Sequence, residues 1–239
     1  RLWLNPFGDE GLAALVAPPE APPPAGTPPP PAGGLKKLEL LYLNDTQISD
    51  SGCATLAAAL DSGALPALDN VELDGTRASD KAKAAVHEAM ARSRFGALYE
   101  AAAALCVKLG MQSCTELRQA KKVQCSKKGL SEADLATLGA LGSELTALEE
   151  LTLRETSGSA DLADVLGVQR LAEGLVAGAL PAVTSVCIFD MHVGDAGASA
   201  LAAALDRGAL PRLGVLALVA AAIGDAALAA LAPALRRRP

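Results

Sequence analysis

LYLNDTQISDSGCATLAAAL, residues 41–60, decides how the chain is read. Leu41 and Leu43 flank Tyr42 in the alternation of a strand with one buried face. Asn44, Asp45 and Thr46 follow as a polar turn, and Ile48 is an apolar anchor five residues beyond Leu43. Residues 49–52, SDSG, supply turn chemistry and a helix start, with Asp50 at the positive helix end. Leu56 and Leu60 then fall at helical spacing. A unit this small cannot cover its own apolar face, so the chain must supply neighbours that stack on it.

It does so repeatedly. Val71 and Leu73 in LDNVELDGT, Val123 and Cys125 in KKVQCSKKGL, and Leu151 and Leu153 in LEELTLRET take the places of Leu41 and Leu43. Val186 and Ile188 in AVTSVCIFDMHVGDAG, then Leu216 and Leu218 in GVLALVAAAIGDAA, follow. The opening LWLNPFGDEG fits with Leu2 and Leu4 if two turn residues are deleted. Seven units result, spaced 39, 30, 52, 28, 35 and 30 residues apart, a base period near 28–30 with insertions. The anchor recurs as Leu130, Val193 and Ile223, and the helix start as Asp9 and Asp195. Helical pairs recur at Leu201 and Leu205 and at Leu231 and Leu235. Three GALP segments, at Gly63, Gly178 and Gly208, stop a helix and lead into the next strand. The expected architecture is α/β, with parallel strands and one helix between each pair.

The residues 38–60 that carry this pattern, LELLYLNDTQISDSGCATLAAAL, resemble the leucine-rich repeat of the ribonuclease-inhibitor type, LxxLxLxx(N/C)x(I/L)xxxGxxxLxxxL. The resemblance covers residues 1–17, 35–92 and 122–239 and is strongest in the second and sixth units. It implies a horseshoe solenoid of about seven repeats, with the parallel sheet on the concave side and the helices outside. It further implies a protein that binds proteins, since most members do, while a few regulate GTPases. The family's Asn or Cys, three residues after the second strand leucine, bonds the turn backbone. Here those positions hold Thr46, Thr76, Lys128, Thr156, Met191 and Ala221. Thr can do part of that task and the others cannot, so the fourth, sixth and seventh turns are expected to be irregular.

The expected organisation is one continuous solenoid: repeats one to three over 1–93, a helical insertion over 94–121, and repeats four to seven over 122–239. A proline-rich segment, 17–34, loops off as extended polyproline and is either passive or a ligand for an aromatic groove. In the insertion, ALYEAAAALCVKL places Leu98, Ala102, Leu105 and Leu109 on one helical face, expected to pack on the solenoid edge or its convex side. Residues 154–171 lengthen the fifth unit, in its turn. The chain shows no capping segment before RLWL or after the uncharged strand GVLALVAAA. A continuation beyond one end, or a partner on the VLALV edge, is therefore expected.

Composition narrows the function. A net charge of -6 with no basic face argues against nucleic acid as ligand. Uncharged apolar runs fall short of a membrane span. Five cysteines without a CxxC pair read as reduced structural thiols in an intracellular, cytoplasmic compartment. Only His87 and His192 are available as histidine bases or ligands. Cys187 and His192 lack a third orienting group, so neither an enzyme, a metal site nor a cofactor is expected.

The expected site is the open strand face. Its middle residues are Trp3, Tyr42, Glu72, Gln124, Thr152, Cys187 and Ala217. Asn44, Asp45, Asp74, Lys127, Arg154, Glu155, Phe189 and Asp190 follow them. Trp3, Tyr42 and Phe189 are half of the six aromatic residues, and aromatics on a rigid sheet are binding anchors or else cover loop edges. The reading is a non-enzymatic module that binds a protein partner on this face. The alternatives are a structural subunit held by its ends and insertions, and a regulator of a small GTPase by fold analogy.

Overall fold

The computed structural model describes residues 2–16, 35–154 and 163–237, without the side chains of 163–165. The chain divides into two compact units, 1–96 and 97–239.

The first unit runs α1 (Asp9–Val16), β1 (Leu40–Tyr42), α2 (Asp50–Asp61), β2 (Asn70–Glu72) and α3 (Asp80–Phe95). β1 and β2 are parallel, with Leu41 opposite Val71 and Tyr42 opposite Glu72. The helix α2 connects them, and α1, α2 and α3 pack in succession. Leu41, Leu43, Ile48, Leu56 and Leu60 are buried in one core with Val71, Leu73 and Leu12, as the alternation predicts. Each such leucine contributes about 1.5–3 kcal/mol by leaving water.

The opening segment corrects the expected register. The Leu2 N–H donates to the Tyr42 carbonyl and the Leu4 N–H to that of Asn44, both at 3.0 Å. The Leu43 N–H donates in the same way to Glu72, the residue before its own partner. Leu2 therefore matches Leu43, and Leu4 matches Asp45; these last two share a left-handed backbone, φ 59° and 56°. The offset then holds without a gap through Asp9 and Asp50. No turn residue is deleted, and Trp3 stands at the level of Asn44 rather than Tyr42. Asn5 falls where the family has its Asn, and its amide bonds the Leu2 and Trp3 carbonyls at 3.0 and 3.1 Å. Thr46 and Thr76 donate to the carbonyls of Leu43 and Leu73, both at 2.7 Å, so Thr performs that turn bond here.

The second unit begins with α4 (Tyr99–Leu109) and α5 (Cys114–Gln119). Then follow β3 (Lys122–Ser126), α6 (Glu132–Ala140), β4 (Glu150–Arg154), α7 (Ala163–Gly174), β5 (Ser185–Phe189), α8 (Gly194–Asp206), β6 (Val215–Val219) and α9 (Asp225–Arg236). The strands form one parallel sheet in the order β3-β4-β5-β6. Val123, Leu151, Val186 and Leu216 stand in one row, and Cys125, Leu153, Ile188 and Leu218 in another. The aligned pairs of the sequence are thus the facing residues of the sheet. The helices α6 to α9 pack successively, each on the next.

The expected insertion helix is α4, which packs on β3 and α6. Its buried residues are Ala102, Leu105 and Cys106, while Leu98 is exposed and Leu109 partly so. The short helix α5 was not expected. Arg94 and Phe95 belong to the end of α3 rather than to the insertion. The proline-rich segment 17–34 and the lengthened turn at 155–162 lie outside the described residues.

Among the described residues, left-handed backbone recurs two residues past the second core position, at Asp45, Gly75, Lys127, Asp190 and Ala220. The fourth, sixth and seventh units, which lack a turn-bonding Thr, have a further left-handed residue, Gly129, Gly194 and Ala222. At the sheet end the core thins. Val186 and Ile188 are 3% and 0% exposed, yet Leu216 and Leu218 are only partly buried and Leu235 is 40% exposed.

Candidate functional site

The strand face of the first unit contains an open cleft lined by Trp3, Tyr42, Asn44 and Glu72. The fold places all four. Leu41 and Leu43 turn inward, so the residues between and after them turn outward. The two hydrogen bonds that tie Leu2 and Leu4 to β1 hold Trp3 beside Asn44. Trp3 is 51% exposed. The Asn44 Nδ2 donates to Glu72 Oε2 at 2.9 Å across the two strands. Asn44 Oδ1 is buried and receives no hydrogen bond. Glu72 has no ion-pair partner among the described residues.

Asp45 and Asp74 are exposed at the ends of these strands. Asp45 Oδ1 lies close to Gly75: a Cβ there would stand 2.1 Å from it, so a side chain at this left-handed position, φ +69°, would displace the Asp45 carboxylate. Neither carboxylate has an ion-pair partner among the described residues.

The second unit presents a different face. Gln124 is exposed on β3, and Thr152, Cys187 and Ala217 are half-buried in the same row. Lys122 pairs with Glu150 at 2.8 Å, and Lys121 with Glu149 at 3.1 Å. The Arg154 guanidinium lies 3.7 Å from the Asp190 carboxylate and 4.7 Å from the centre of the Phe189 ring. Lys127 is an exposed turn residue whose N–H donates to the Arg154 carbonyl at 2.9 Å. Glu155 lies outside the described residues.

Of the expected site residues, Trp3, Tyr42, Asn44 and Glu72 come together in the cleft. Arg154, Phe189 and Asp190 form a second group, while Gln124 and Lys127 belong to neither. The Asn44–Glu72 bond was not foreseen; its signal was the matching of Tyr42 with Glu72, which sets Asn44 near the same carboxylate. Also unforeseen was the second task of the helix-start aspartates. Asp9 accepts from the Ser49 N–H at 2.8 Å and from its hydroxyl. Asp50 accepts from the N–H and hydroxyl of Ser79 at 2.6 and 2.9 Å. Asp195 accepts from the Gly224 N–H at 2.8 Å. Each aspartate thus ties its own helix start to that of the next repeat, and the Ser49 hydroxyl and N–H hold the Asp9 carboxyl below its ordinary value. These bonds position the strands; they are not part of the cleft.

No protein-family model matches the chain, and no curated protein matches it. None of the helices described is long and apolar enough to cross a membrane.

Proposed function

We propose that the chain is a non-enzymatic, leucine-rich-repeat protein of the ribonuclease-inhibitor type, a solenoid of about seven repeats that binds a protein partner on its strand face, inside the cell. The observation that carries this reading is the cleft of Trp3, Tyr42, Asn44 and Glu72. It sets two aromatic side chains beside a carboxylate that has no ion-pair partner among the described residues, on a sheet fixed from below by buried leucines. Aromatic anchors on a rigid platform are the groups that dominate protein interfaces. The repeat register of both sheets supports the family assignment. The test is capture of binding proteins from source extract by the full chain. Trp3→Ala and Tyr42→Ala should each lose the captured partner, with circular dichroism and monomer size unchanged. Equal capture by both variants places the interface elsewhere.

A second reading, a structural subunit held by its end, draws on β6. Its only sheet neighbour among the described residues is β5, and Val215 and Val219 are 52% and 47% exposed. In an assembly an added strand would cover that edge. Co-purification at fixed stoichiometry with a large complex, lost in Val219→Lys but kept in Tyr42→Ala, would favour it over the first.

A further inference from the structure

We propose that Cys106 and Cys114 are a site of thiol oxidation: a disulfide forms between them in exchange with a small-molecule disulfide of the glutathione type, and it fastens α4 to α5. The inference goes beyond the binding reading and does not rest on it.

Neighbouring helices bring the two thiols together. Cys106 lies near the end of α4, and Cys114 is the first residue of α5. Their sulfurs are 3.9 Å apart, and the two residues are buried, at 2% and 1% exposure. The backbone beside each is pinned. Gly110 ends α4 in the left-handed conformation, φ 80°, and the Met111 N–H closes on the Cys106 carbonyl at 2.9 Å. Ser113 caps α5 by accepting from the Glu116 N–H at 3.1 Å, and the Glu116 carboxylate accepts from the Gln112 N–H at 2.7 Å. While these bonds hold, the sulfurs stay within reach of each other. A covalent S–S bond is about 2.0 Å long, so they must approach by roughly 2 Å, which rotation about the Cα–Cβ bonds supplies.

Burial selects the product. The α5 helix has six residues, too few to be stable alone, so its opening uncovers Cys114. The Cys114 thiolate attacks one sulfur of oxidised glutathione. The glutathione S–S bond breaks, and one glutathione leaves as a thiol with the proton that Cys114 gave up. The adduct now carries a tripeptide on a sulfur whose place is in the core. Cys106 attacks that protein sulfur and expels the second glutathione, which takes the second proton. The pair loses two electrons and two protons, and oxidised glutathione gains them as two thiols. The internal bond asks for no more room than the thiols did, so it is favoured over the adduct. Lys108, in the same turn as Cys106, already pairs with Asp134 of α6. The disulfide adds a covalent tie to that hold and extends it to α5.

The full chain is equilibrated in glutathione buffers of rising oxidised share, once as the native protein and once by refolding from denaturant. Thiols are then blocked in denaturant and the peptides mapped by mass. Trypsin cuts after Lys108, between the two cysteines, so the bond joins peptide 95–108 to 109–118. The joined peptide is expected, at an oxidised share about tenfold lower than the one that loads half-buried Cys187 with glutathione. The oxidised chain should melt about 5 °C higher by circular dichroism, and a reducing agent should reverse this. Cys106→Ala and Cys114→Ala should each lose both the joined peptide and the shift. A joined peptide missing from the native and the refolded samples alike overturns the inference. So does a bond from either cysteine to Cys53, Cys125 or Cys187, or a joined peptide that leaves the melting temperature where it was.

Discussion

The two strand faces are built on the same register but leave their charges in opposite states. On β3–β5 the basic residues meet acids on the adjacent strand: Lys122 with Glu150, and Arg154 with Asp190. Most of the charge on this face is thus paired, Lys127 in the turn after β3 apart, and the Phe189 ring is already stacked. On β1 and β2 the carboxylates of Asp45, Glu72 and Asp74 have no such partners among the described residues, and Trp3 stands open. Facing positions in a parallel sheet are neighbours, so charge across a pair of strands is settled locally. A sheet that could settle its charges and does not is the one on which to look for an outside partner.

That comparison assumes that the faces differ while the layers beneath them are alike. Leu43 and Ile188 are both fully buried at matching places in their units. Leu43→Ala and Ile188→Ala should each cost about 2–5 kcal/mol of stability in chemical denaturation. Similar losses would assign the difference between the units to their faces. A loss near zero at Leu43 would mean that the strand register of the first unit is wrong.

The next effect is on binding. Tyr42→Ala should weaken the partner by about 1–3 kcal/mol, and Arg154→Ala by much less, because Arg154 is already engaged within its own face. Calorimetry with the captured partner measures both. An Arg154→Ala loss as large as that of Tyr42→Ala would erase the contrast between the faces.

Acid should then affect both units through their helix starts. Asp134 caps α6 by accepting from the Ser131 N–H at 2.6 Å, and it pairs with Lys108 of α4. Burial raises its pKa, but the hydrogen bonds from Lys108 and Ser131 outweigh this and hold the carboxyl below 3.8. Asp9 is lowered by Ser49 in the first unit. Groups lowered on folding stabilise above their unfolded pKa, and that stability is lost as pH falls through the folded value. Both units should weaken below about pH 4. Asp134→Asn should lower stability near neutral pH by about 1–3 kcal/mol and flatten the acid limb of a denaturation series. An unchanged acid limb would show that the pair does not hold α4 on the sheet.

Much of this was legible in the sequence, for a physical reason. Alternating leucines specify which residues of a parallel sheet face one another, and Leu41, Val123 and Val186 were matched to their sheet partners from spacing alone. The opening repeat was misplaced because Leu2 and Leu4 look like an alternating pair. The backbone makes Leu2 the last core residue and turns Leu4 into the left-handed position. Asp9 and Asp50 were read as dipole partners of their own helices, since nothing local reveals a bond to the following repeat. The thin core at Leu216 escaped because alternation tells which way a side chain points, not whether anything covers it. In the cleft, Tyr42 and Glu72 followed from strand position, and Trp3 faces it from one residue further along than the alternation gave. The orphaned Asn44 oxygen did not, since it depends on which way one amide is turned.

The smallest effect is the most direct test of the self-neutralised face. Lys122 and Glu150 stand opposite each other on β3 and β4, 2.8 Å apart and both well exposed. Water competes for both charges, and ordering two long side chains takes back much of what the Coulomb attraction gives. A double-mutant cycle with Lys122→Met and Glu150→Gln should therefore give a coupling of about 0–1 kcal/mol, shrinking with added salt. A coupling this small would mean that the pair offsets charge on the face without holding the sheet. Glu150→Gln alone strips Lys122 of its counter-charge and should make this face bind an acidic tripeptide, acetyl-Gly-Glu-Gly-amide, more tightly than the unaltered chain does. A large coupling would make the pair a structural element. An unaltered chain that already binds the acidic peptide as well as Glu150→Gln would mean that the second face is not neutralised, and the contrast with the first would lose its basis.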